Sequence, residues 1–158
     1  GFERAYEKSP VINIEVDNDI HTKKLKFDDD KVKKYIYNRV NYSSQLDCLN
    51  TASINMFHIH LGYLKDHIYE LEEVKTMIVA YQSDETLKIK AIYSLVEISF
   101  LDLVKSLPFK GIKKIEFGFM PTYENLNLSM EEDDADPWFV RNISCDISNI
   151  KFPELSMT

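Results

Sequence analysis

The fold is decided by residues 74–99, which read VKTMIVAYQSDETLKIKAIYSLVEIS. Residues 74–81 and 87–99 are rich in β-branched and aromatic side chains, and the second run alternates between apolar and polar positions, as half-buried strands do. Between them, residues 82–86 (QSDET) are typical of a turn. The sequence therefore predicts a long antiparallel hairpin at the centre of the fold.

Two helices are predicted before this hairpin. Residues 31–40 carry apolar side chains along one stripe and follow three aspartates, which suit a helix start by capping it and by complementing its dipole. Residues 45–71 continue with apolar side chains at three- and four-residue steps, as in a helix that packs on one side. Gly62 interrupts that pattern and predicts a kink or a division of the helix.

The rest of the chain predicts a short helix and several strands. The helix covers residues 100–107 and ends at Pro108. The strands predicted outside the hairpin cover residues 11–16, 112–119, 138–143 and 147–152, with residues 25–27 extending or answering the first of them.

This order predicts an α+β fold with a mixed, mostly antiparallel sheet, two N-terminal helices and the long central hairpin. The length of 158 residues fits a single domain over residues 1–158. The region from about residue 121 onward is acidic and weakly patterned.

Composition excludes several classes of function. The net charge of −7 argues against a broad basic surface for nucleic acid or anionic lipid. No apolar run approaches the ~20 residues of a membrane span, so no membrane partner is expected. The chain opens with mixed charge and no apolar signal-peptide core, and its two distant cysteines, Cys48 and Cys145, fit a reducing compartment. We therefore expect a cytoplasmic protein with both cysteines reduced and buried.

Three stretches carry a resemblance to a known family. Residues 61–68 (LGYLKDHI), the pair 75–81 and 88–95, and residues 115–123 (IEFGFMPTY) resemble the second helix, the central hairpin and the fourth strand of the GNAT acetyltransferase superfamily. The resemblance covers residues 11–129. It implies an acyl-CoA-dependent N-acetyltransferase, or a degenerate descendant of one, with acetyl-CoA as cofactor.

The resemblance also implies where the cofactor lies. In the family, the fourth strand exits into an Arg/Gln-x-x-Gly-x-Gly/Ala loop, and that loop opens a helix whose N-terminal amides hold the pyrophosphate. This chain has Glu124 in place of the Arg or Gln, and Asn127 and Ser129 in place of the glycines. The residues that then meet the cofactor are Tyr123, Glu124, Asn125 and Leu126.

The catalytic roles implied by the resemblance fall on three residues. Glu116, on the predicted fourth strand, or Glu97, at the end of the hairpin, is the candidate general base for an attacking amine. Tyr123 is the candidate acid for the leaving thiolate. The alternatives are structural: each glutamate as a polar residue on an alternating strand, and the tyrosine as a packing residue.

The acidic residues 131–136 (EEDDAD) predict a solvated loop and favour a second function. At ~4–8 Å from a diphosphate, each carboxylate would cost about 2–4 kcal/mol at an effective dielectric constant near 20. The alternative is therefore a non-enzymatic binding or inhibitory module, whose acidic surface attracts a protein partner with a basic surface. A third alternative is an acidic mimic of nucleic acid.

The histidines and cysteines do not predict a metal site. His60 and His67 share a helix face at a spacing of seven, whereas a helical zinc pair needs a spacing of four. His58 lies on another face, and no cysteine or carboxylate completes a ligand set. Residues 131–136 lack the glycine and the spacing of a calcium loop. Cys48 is interpreted as structural, within an apolar helix.

Overall fold

The structure is a computed structural model that describes residues 1–41, 46–144 and 146–156. Within these ranges the chain forms nine strands and three α-helices. The strands are β1 (Glu3–Ala5), β2 (Lys8–Val16), β3 (Lys23–Lys24), β4 (Ile68–Leu71), β5 (Thr76–Ser83), β6 (Thr86–Ser94), β7 (Ile112–Phe117), β8 (Ser129–Glu132) and β9 (Trp138–Val140), and the helices are α1 (Asp30–Asn38), α2 (Ala52–Leu61) and α3 (Phe100–Ser106). The α+β class and the mostly antiparallel sheet are confirmed.

β5 and β6 form the predicted hairpin. Ser83 pairs with Thr86, which leaves Asp84 and Glu85 as a two-residue turn. Asp84 has a φ of 53°, the left-handed value that such turns require and that aspartate tolerates. The second strand is shorter than predicted, because β6 ends at Ser94.

Seven strands form one sheet in the order β3-β4-β5-β6-β7-β2-β8, and β1 and β9 form a separate pair. All neighbours in the large sheet are antiparallel except β6 and β7, which are parallel. α3 lies in the connection between these two parallel strands. The first long strand, β2, pairs with β7 and β8, so that β7 separates it from the hairpin.

Helices cover both faces of the sheet. Side chains alternate along β5, so that Met77 and Val79 lie in one core and Ile78 and Ala80 in the other. The first core contains buried residues of α1 and α2, and the second contains Leu103 of α3. α1 begins as predicted, with the side chain of Asp29 accepting a hydrogen bond from the Lys31 N–H at 2.9 Å.

The predicted helix over residues 45–71 is wrong in its second half. α2 ends at Leu61, and Gly62 adopts an extended backbone with φ −99° and ψ −179°. After a 3₁₀ turn over Tyr63–Asp66, β4 pairs along β5, where fully buried Ile68 lies opposite Val79. Pairing with the hairpin therefore overrides the helical spacing of this segment.

Three smaller predictions also need correction. Residues 25–27 are not a strand; the strand is β3, which pairs with β4. Residues 147–152 form no strand, although the Lys8 N–H donates to the Ile150 carbonyl at 3.0 Å. Part of the acidic run 131–136 is not a loop but belongs to β8, an edge strand whose glutamates suit an exposed sheet edge.

Candidate functional site

The parallel pairing of β6 with β7 ends before β6 does. Their residue pairs end at Ile89↔Phe117. Lys90 then forms a β-bulge, because the register between β5 and β6 shifts at this point, and bulges bend the strand that carries them. β7 ends at Phe117, whereas β6 continues to Ser94, so the β7 side of β6 has no paired strand beyond Ile89 within the described ranges. In open sheets with parallel strands, ligands bind in this position.

A cleft of about 630 Å³ lies beside this last part of β6. We call it the β6–β7 cleft. It is lined by Ile92 and Ser94 of β6, and by residues 40–41, 96–100 and 122–124. Two sides of the cleft are joined by a backbone hydrogen bond, in which the Ser94 carbonyl accepts from the Val40 N–H at 2.8 Å.

Three of the predicted site residues line this cleft: Glu97, Tyr123 and Glu124. Both glutamates are exposed. The described residues that line the cleft include these two carboxylates and no lysine or arginine. The cleft therefore attracts cations, and its described lining offers no positively charged side chain to a phosphate.

Tyr123 is the most enclosed of the three. Its ring packs against Phe100 with the centroids 5.5 Å apart. Burial raises the pKa of the Tyr123 hydroxyl well above its ordinary value. The hydroxyl therefore stays protonated at neutral pH and can act only as a hydrogen-bond donor or acceptor in its neutral form.

Glu116 lies elsewhere. Its neighbours Ile115 and Phe117 enter the core beside α3, so alternation along β7 directs Glu116 to the opposite face. There its carboxylate lies 3.9 Å from the Lys88 ammonium. The prediction that Glu116 belongs to the same site as Tyr123 is therefore not supported by the geometry.

The predicted cofactor loop after β7 does not lead into a helix. Residues 118–128 are irregular, and the next element is β8. Asn125 has a left-handed φ of 58°, and neither Asn125 nor Leu126 is among the residues that line the cleft. The expected row of N-terminal helix amides beside Tyr123 is absent from this described part of the chain.

The exit from β6 does lead into a helix, but a side-chain cap and an acidic residue already occupy its first turn. The side chain of Ser99 accepts a hydrogen bond from the Asp102 N–H at 3.1 Å and donates to the Asp102 carboxylate at 2.8 Å. Asp102 also places a negative charge in the first turn of α3, which has only seven residues. This helix start therefore offers no open anion site.

Residues 151–156, which we call the wedge segment, contact the chain just beyond the last residue pair of β6 and β7. The Glu154 N–H donates to the Gly118 carbonyl at 2.9 Å. The Glu154 carboxylate accepts from the Lys90 ammonium at 2.7 Å. Leu155 is buried in the core on the α1 and α2 side. The bulge residue Lys90 thus holds the wedge segment against β6.

Lys151 anchors the wedge segment through three carboxylates. Its ammonium lies 2.6 Å from Asp133, 3.2 Å from Glu7 and 3.2 Å from Glu154. Lys151 and Glu7 are 3% and 2% exposed, so this pair is shielded from water, whereas Asp133 and Glu154 are partly exposed. Sequence reasoning missed it; the only signal was a lone lysine between apolar residues in an acidic region.

The cluster makes stability depend on pH at both extremes. Burial alone would raise the pKa of Asp133, but its hydrogen bond to Lys151 and that cation's charge hold the pKa below its ordinary 3.8. Burial alone would lower the pKa of Lys151, but the hydrogen bond to Asp133 and the charges of Glu154 and Glu7 raise the pKa above its ordinary 10.5. Asp133 thus stabilises the fold above pH 3.8, and Lys151 does so below pH 10.5.

We expect Asp133→Asn to lower the free energy of unfolding by about 1–2 kcal/mol at pH 7, because a charge-assisted hydrogen bond is lost. The difference from wild type should vanish as pH falls through the lowered pKa of Asp133, where the wild-type carboxylate also becomes neutral. Urea unfolding between pH 2 and pH 7 measures this. Asp134→Asn, at an exposed neighbour, is the control, and a difference that stays constant with pH would contradict the expectation.

The other candidate ligands do not assemble into a site. His60 stacks on Phe27 at 4.8 Å, whereas His67 lies between Tyr63 and Tyr81 at 6.2 and 5.7 Å between ring centroids. Within the described ranges, no group of three His, Cys, Asp or Glu side chains could hold a metal ion.

The cysteine predictions are tested only in part. Cys48 is a free thiol that is only half-buried. It precedes α2, so its predicted place within a helix is wrong. Cys145 lies outside the described residues.

Comparisons with known proteins name no family for this chain. No helix within the described ranges is both long enough and apolar enough to span a bilayer. No family model, no curated protein and no solved structure matches this sequence.

Proposed function

We propose that this chain is a GNAT-like domain in which the β6–β7 cleft brings together acetyl-CoA and an amine for N-acetyl transfer. One observation carries the proposal: among the described residues, the parallel pairing of β6 with β7 ends at Ile89, and a cleft lies beside the part of β6 that continues beyond it. Counted from β3, β6 is the fourth strand of the sheet. In this proposal β6, rather than β7, therefore takes the role of the family's fourth strand.

The unpaired edge of β6 beyond Ile89 also suits the shape of the cofactor. Beyond Ile89, the β7 side of β6 is paired with no strand within the described ranges. The arm of coenzyme A that carries the thioester is extended and contains amide groups, so it can add to such an edge as a short strand does. Ile92 places this edge at the cleft, and the Ser94 carbonyl, which is bonded to the Val40 N–H, marks its end.

Glu97 and Tyr123 have distinct roles in the proposal. Glu97 removes a proton from the amine, directly or through water, and the amine nitrogen then attacks the thioester carbonyl. The C–N bond forms, the C–S bond breaks, and the departing thiolate takes a proton from solvent. The neutral Tyr123 hydroxyl donates a hydrogen bond to that thiolate as it leaves. Glu116 has no role here, because it lies outside the cleft.

A ligand titration tests the proposal directly. Acetyl-CoA at 100 times its Kd should stabilise the fold by about 2.7 kcal/mol, which a thermal-shift assay detects. Calorimetry should give a single binding site. Acetyl-CoA in large excess that neither raises the Tm nor produces heat would overturn the proposal.

The two glutamates provide a matched pair for activity. We expect Glu97→Gln to lower kcat/KM about 100-fold, because a general base contributes that much or more. Glu116→Gln should change it less than threefold, since Glu116 pairs with Lys88 on another face. Acetyl transfer to a panel of primary amines measures both, with circular dichroism to verify folding. Equal losses in the two variants would contradict the assignment of Glu97.

The charge of the cleft favours a second candidate, a non-enzymatic module that binds a basic protein segment. Glu97 and Glu124 at the cleft, together with Asp102 on α3, repel a diphosphate and attract lysine or arginine side chains. In this case acetyl-CoA does not bind. A lysine-rich peptide does bind, with an affinity that falls as salt is added.

The acidic segment can be tested without damaging the fold. Glu131, Glu132 and Asp134 are exposed, whereas Asp133 belongs to the buried cluster. We expect the triple change of Glu131 and Glu132 to Gln and of Asp134 to Asn to weaken capture of a lysine-rich peptide at least fivefold at low salt, with little change in Tm. Capture that is unchanged by the triple variant would exclude this segment as the binding surface.

A further inference from the structure

We propose that the outer face of the ribbon formed by β1 and β9 is the contact surface for a second copy of this chain. The ribbon is separate from the seven-stranded sheet. It shares no residue with the lining of the β6–β7 cleft, so the proposal does not depend on any activity there. The burial, the register and the charges of the ribbon support it.

One side of the ribbon is covered by the protein and the other is exposed. On the covered side, Ala5 and Val140 are 1% and 9% exposed. Arg4 and Phe139 are directly opposite each other on the other side. We call that side the ribbon face, and its exposed residues are Phe2, Arg4, Tyr6, Phe139 and Arg141. Its three rings are 68%, 57% and 63% exposed in chain order. Aromatic and arginine side chains grouped in this way are typical of protein interfaces.

Arginine and phenylalanine lie opposite each other twice on the ribbon face. The guanidinium carbon of Arg4 lies 5.8 Å from the ring centroid of Phe139, and that of Arg141 lies 5.8 Å from the ring centroid of Phe2. A guanidinium above a ring still has N–H groups with which to bind a carboxylate. Within the described ranges neither of these arginines forms an ion pair, whereas Arg39, the third arginine of the chain, is paired with a carboxylate.

The complementary charge lies on the segment that leads into β9. Glu132 ends β8, and Asp134 and Asp136 follow it before β9 begins. All three side chains are exposed. Among the described residues, no lysine or arginine forms an ion pair with any of them, whereas Glu131 is paired with a lysine. Each chain therefore carries available carboxylates before β9 and an available guanidinium, that of Arg141, after it.

A two-fold axis brings these opposite charges together. In an isologous dimer both copies use the same surface, so each contact between unlike residues is made twice. Two antiparallel ribbons place the carboxylates before one β9 against the arginines of the other ribbon. Asp136 and Arg141 are about 17 Å apart along an extended chain, so both contacts fit within one interface. A net charge of −7 disfavours nucleic acid as the partner instead.

Sedimentation velocity tests the proposal on the unmodified chain. We expect a monomer–dimer equilibrium with a Kd of about 1–100 μM, because the contact surface is at the small end of specific interfaces. Phe139→Ala should raise this Kd at least tenfold, since a central aromatic residue is a typical hot spot. Phe57→Ala removes a ring of α2 that is 60% exposed, close to the 63% of Phe139, and should leave the Kd unchanged. A chain that stays monomeric up to about 1 mM, or an equal effect of the two variants, would overturn the proposal.

An exchange of charges tests the antiparallel arrangement. Arg4→Glu/Arg141→Glu and Glu132→Arg/Asp134→Arg each place like charges against each other in both contacts of the dimer. Each variant alone should dimerise at least tenfold more weakly than wild type, with circular dichroism to verify folding. An equimolar mixture should recover the dimer, because both contacts between the two variants are attractive. A mixture that stays monomeric where the wild type dimerises would overturn this arrangement.

The change in net charge has its own control. Lys33 and Lys34 are exposed on α1. Lys33→Glu/Lys34→Glu alters the net charge by the same amount as the double arginine variant but leaves the ribbon face intact. It should change the Kd less than threefold. A loss of dimer as large as that of the arginine variant would show that general repulsion, and not the ribbon face, controls association, and would overturn the proposal.

Discussion

Replacing Lys151 with methionine is expected to lower the free energy of unfolding by about 3–5 kcal/mol, the usual cost of leaving a buried charge without its partner. The ammonium of Lys151 lies 3.2 Å from the carboxylate of Glu7, and their side chains are 4% and 2% exposed. Water cannot reach Glu7 to replace that cation. The hydrogen bond that Glu7 accepts from the Phe152 N–H at 2.9 Å compensates only in part.

Urea unfolding measures this loss, and two further variants define its origin. Lys114→Met removes an exposed pair with Glu131, and should cost less than about 1 kcal/mol. The double variant Lys151→Met/Glu7→Gln should recover most of the stability, because a neutral amide replaces the unpaired carboxylate and still accepts from Phe152. If Lys151→Met and Lys114→Met cost the same, the buried cluster does not stabilise the fold.

Replacing Asn55 with leucine is expected to lower the free energy of unfolding by about 3 kcal/mol, because several buried polar groups lose a partner at 1–3 kcal/mol each. Asn55 is 3% exposed. Its amide donates to the Leu155 carbonyl at 3.0 Å, and its oxygen accepts from the Tyr93 hydroxyl at 2.6 Å. One side chain thus joins α2, β6 and the wedge segment.

Thermal and urea unfolding of Asn55→Leu should be compared with those of Asn38→Leu. Asn38 is exposed and its amide makes one bond, to the Lys34 carbonyl at 2.8 Å, so its replacement should cost less than about 0.5 kcal/mol. In a double-mutant cycle with Tyr93→Phe, we expect a coupling energy of about 1–2 kcal/mol. A coupling energy near zero would contradict the importance of the Asn55–Tyr93 bond.

The parts of the fold that the sequence predicts well are those fixed by local physics. The hairpin follows from alternation in two neighbouring runs and from a turn whose Asp84 tolerates a left-handed backbone. α1 follows from a stripe of apolar residues after an aspartate cap. Each of these signals lies within about ten residues of the structure that it determines.

The helix predicted over residues 45–71 fails because its spacing is ambiguous. Apolar residues continue at steps of three and four past Gly62, but the last four residues of the predicted helix form the strand β4. What decides their structure is burial of Ile68 beside Val79 of β5. That contact requires pairing with a separate strand, which the apolar spacing of residues 45–71 does not reveal.

The candidate site was predicted only in part for a similar reason. Glu97 follows the hairpin and Tyr123 follows β7, and the parallel pairing of β6 with β7 brings them together. The alternation of Ile115, Glu116 and Phe117 did carry the signal that Glu116 faces away from the α3 core. Lys151 and Glu7 left no such signal, because their contact depends on the complete topology.

The contact between Lys151 and Glu7 also determines when this part of a nascent chain can fold. Glu7 and Lys151 are separated by 144 positions. At the usual 5–20 residues per second, about 7–30 s pass between synthesis of the carboxylate and synthesis of its cation. Throughout that interval the β2 neighbourhood cannot close around Glu7 without isolating a charge. We therefore expect a ribosome-bound chain that stops short of residue 151 to leave Glu7 hydrated and β2 accessible to chaperones.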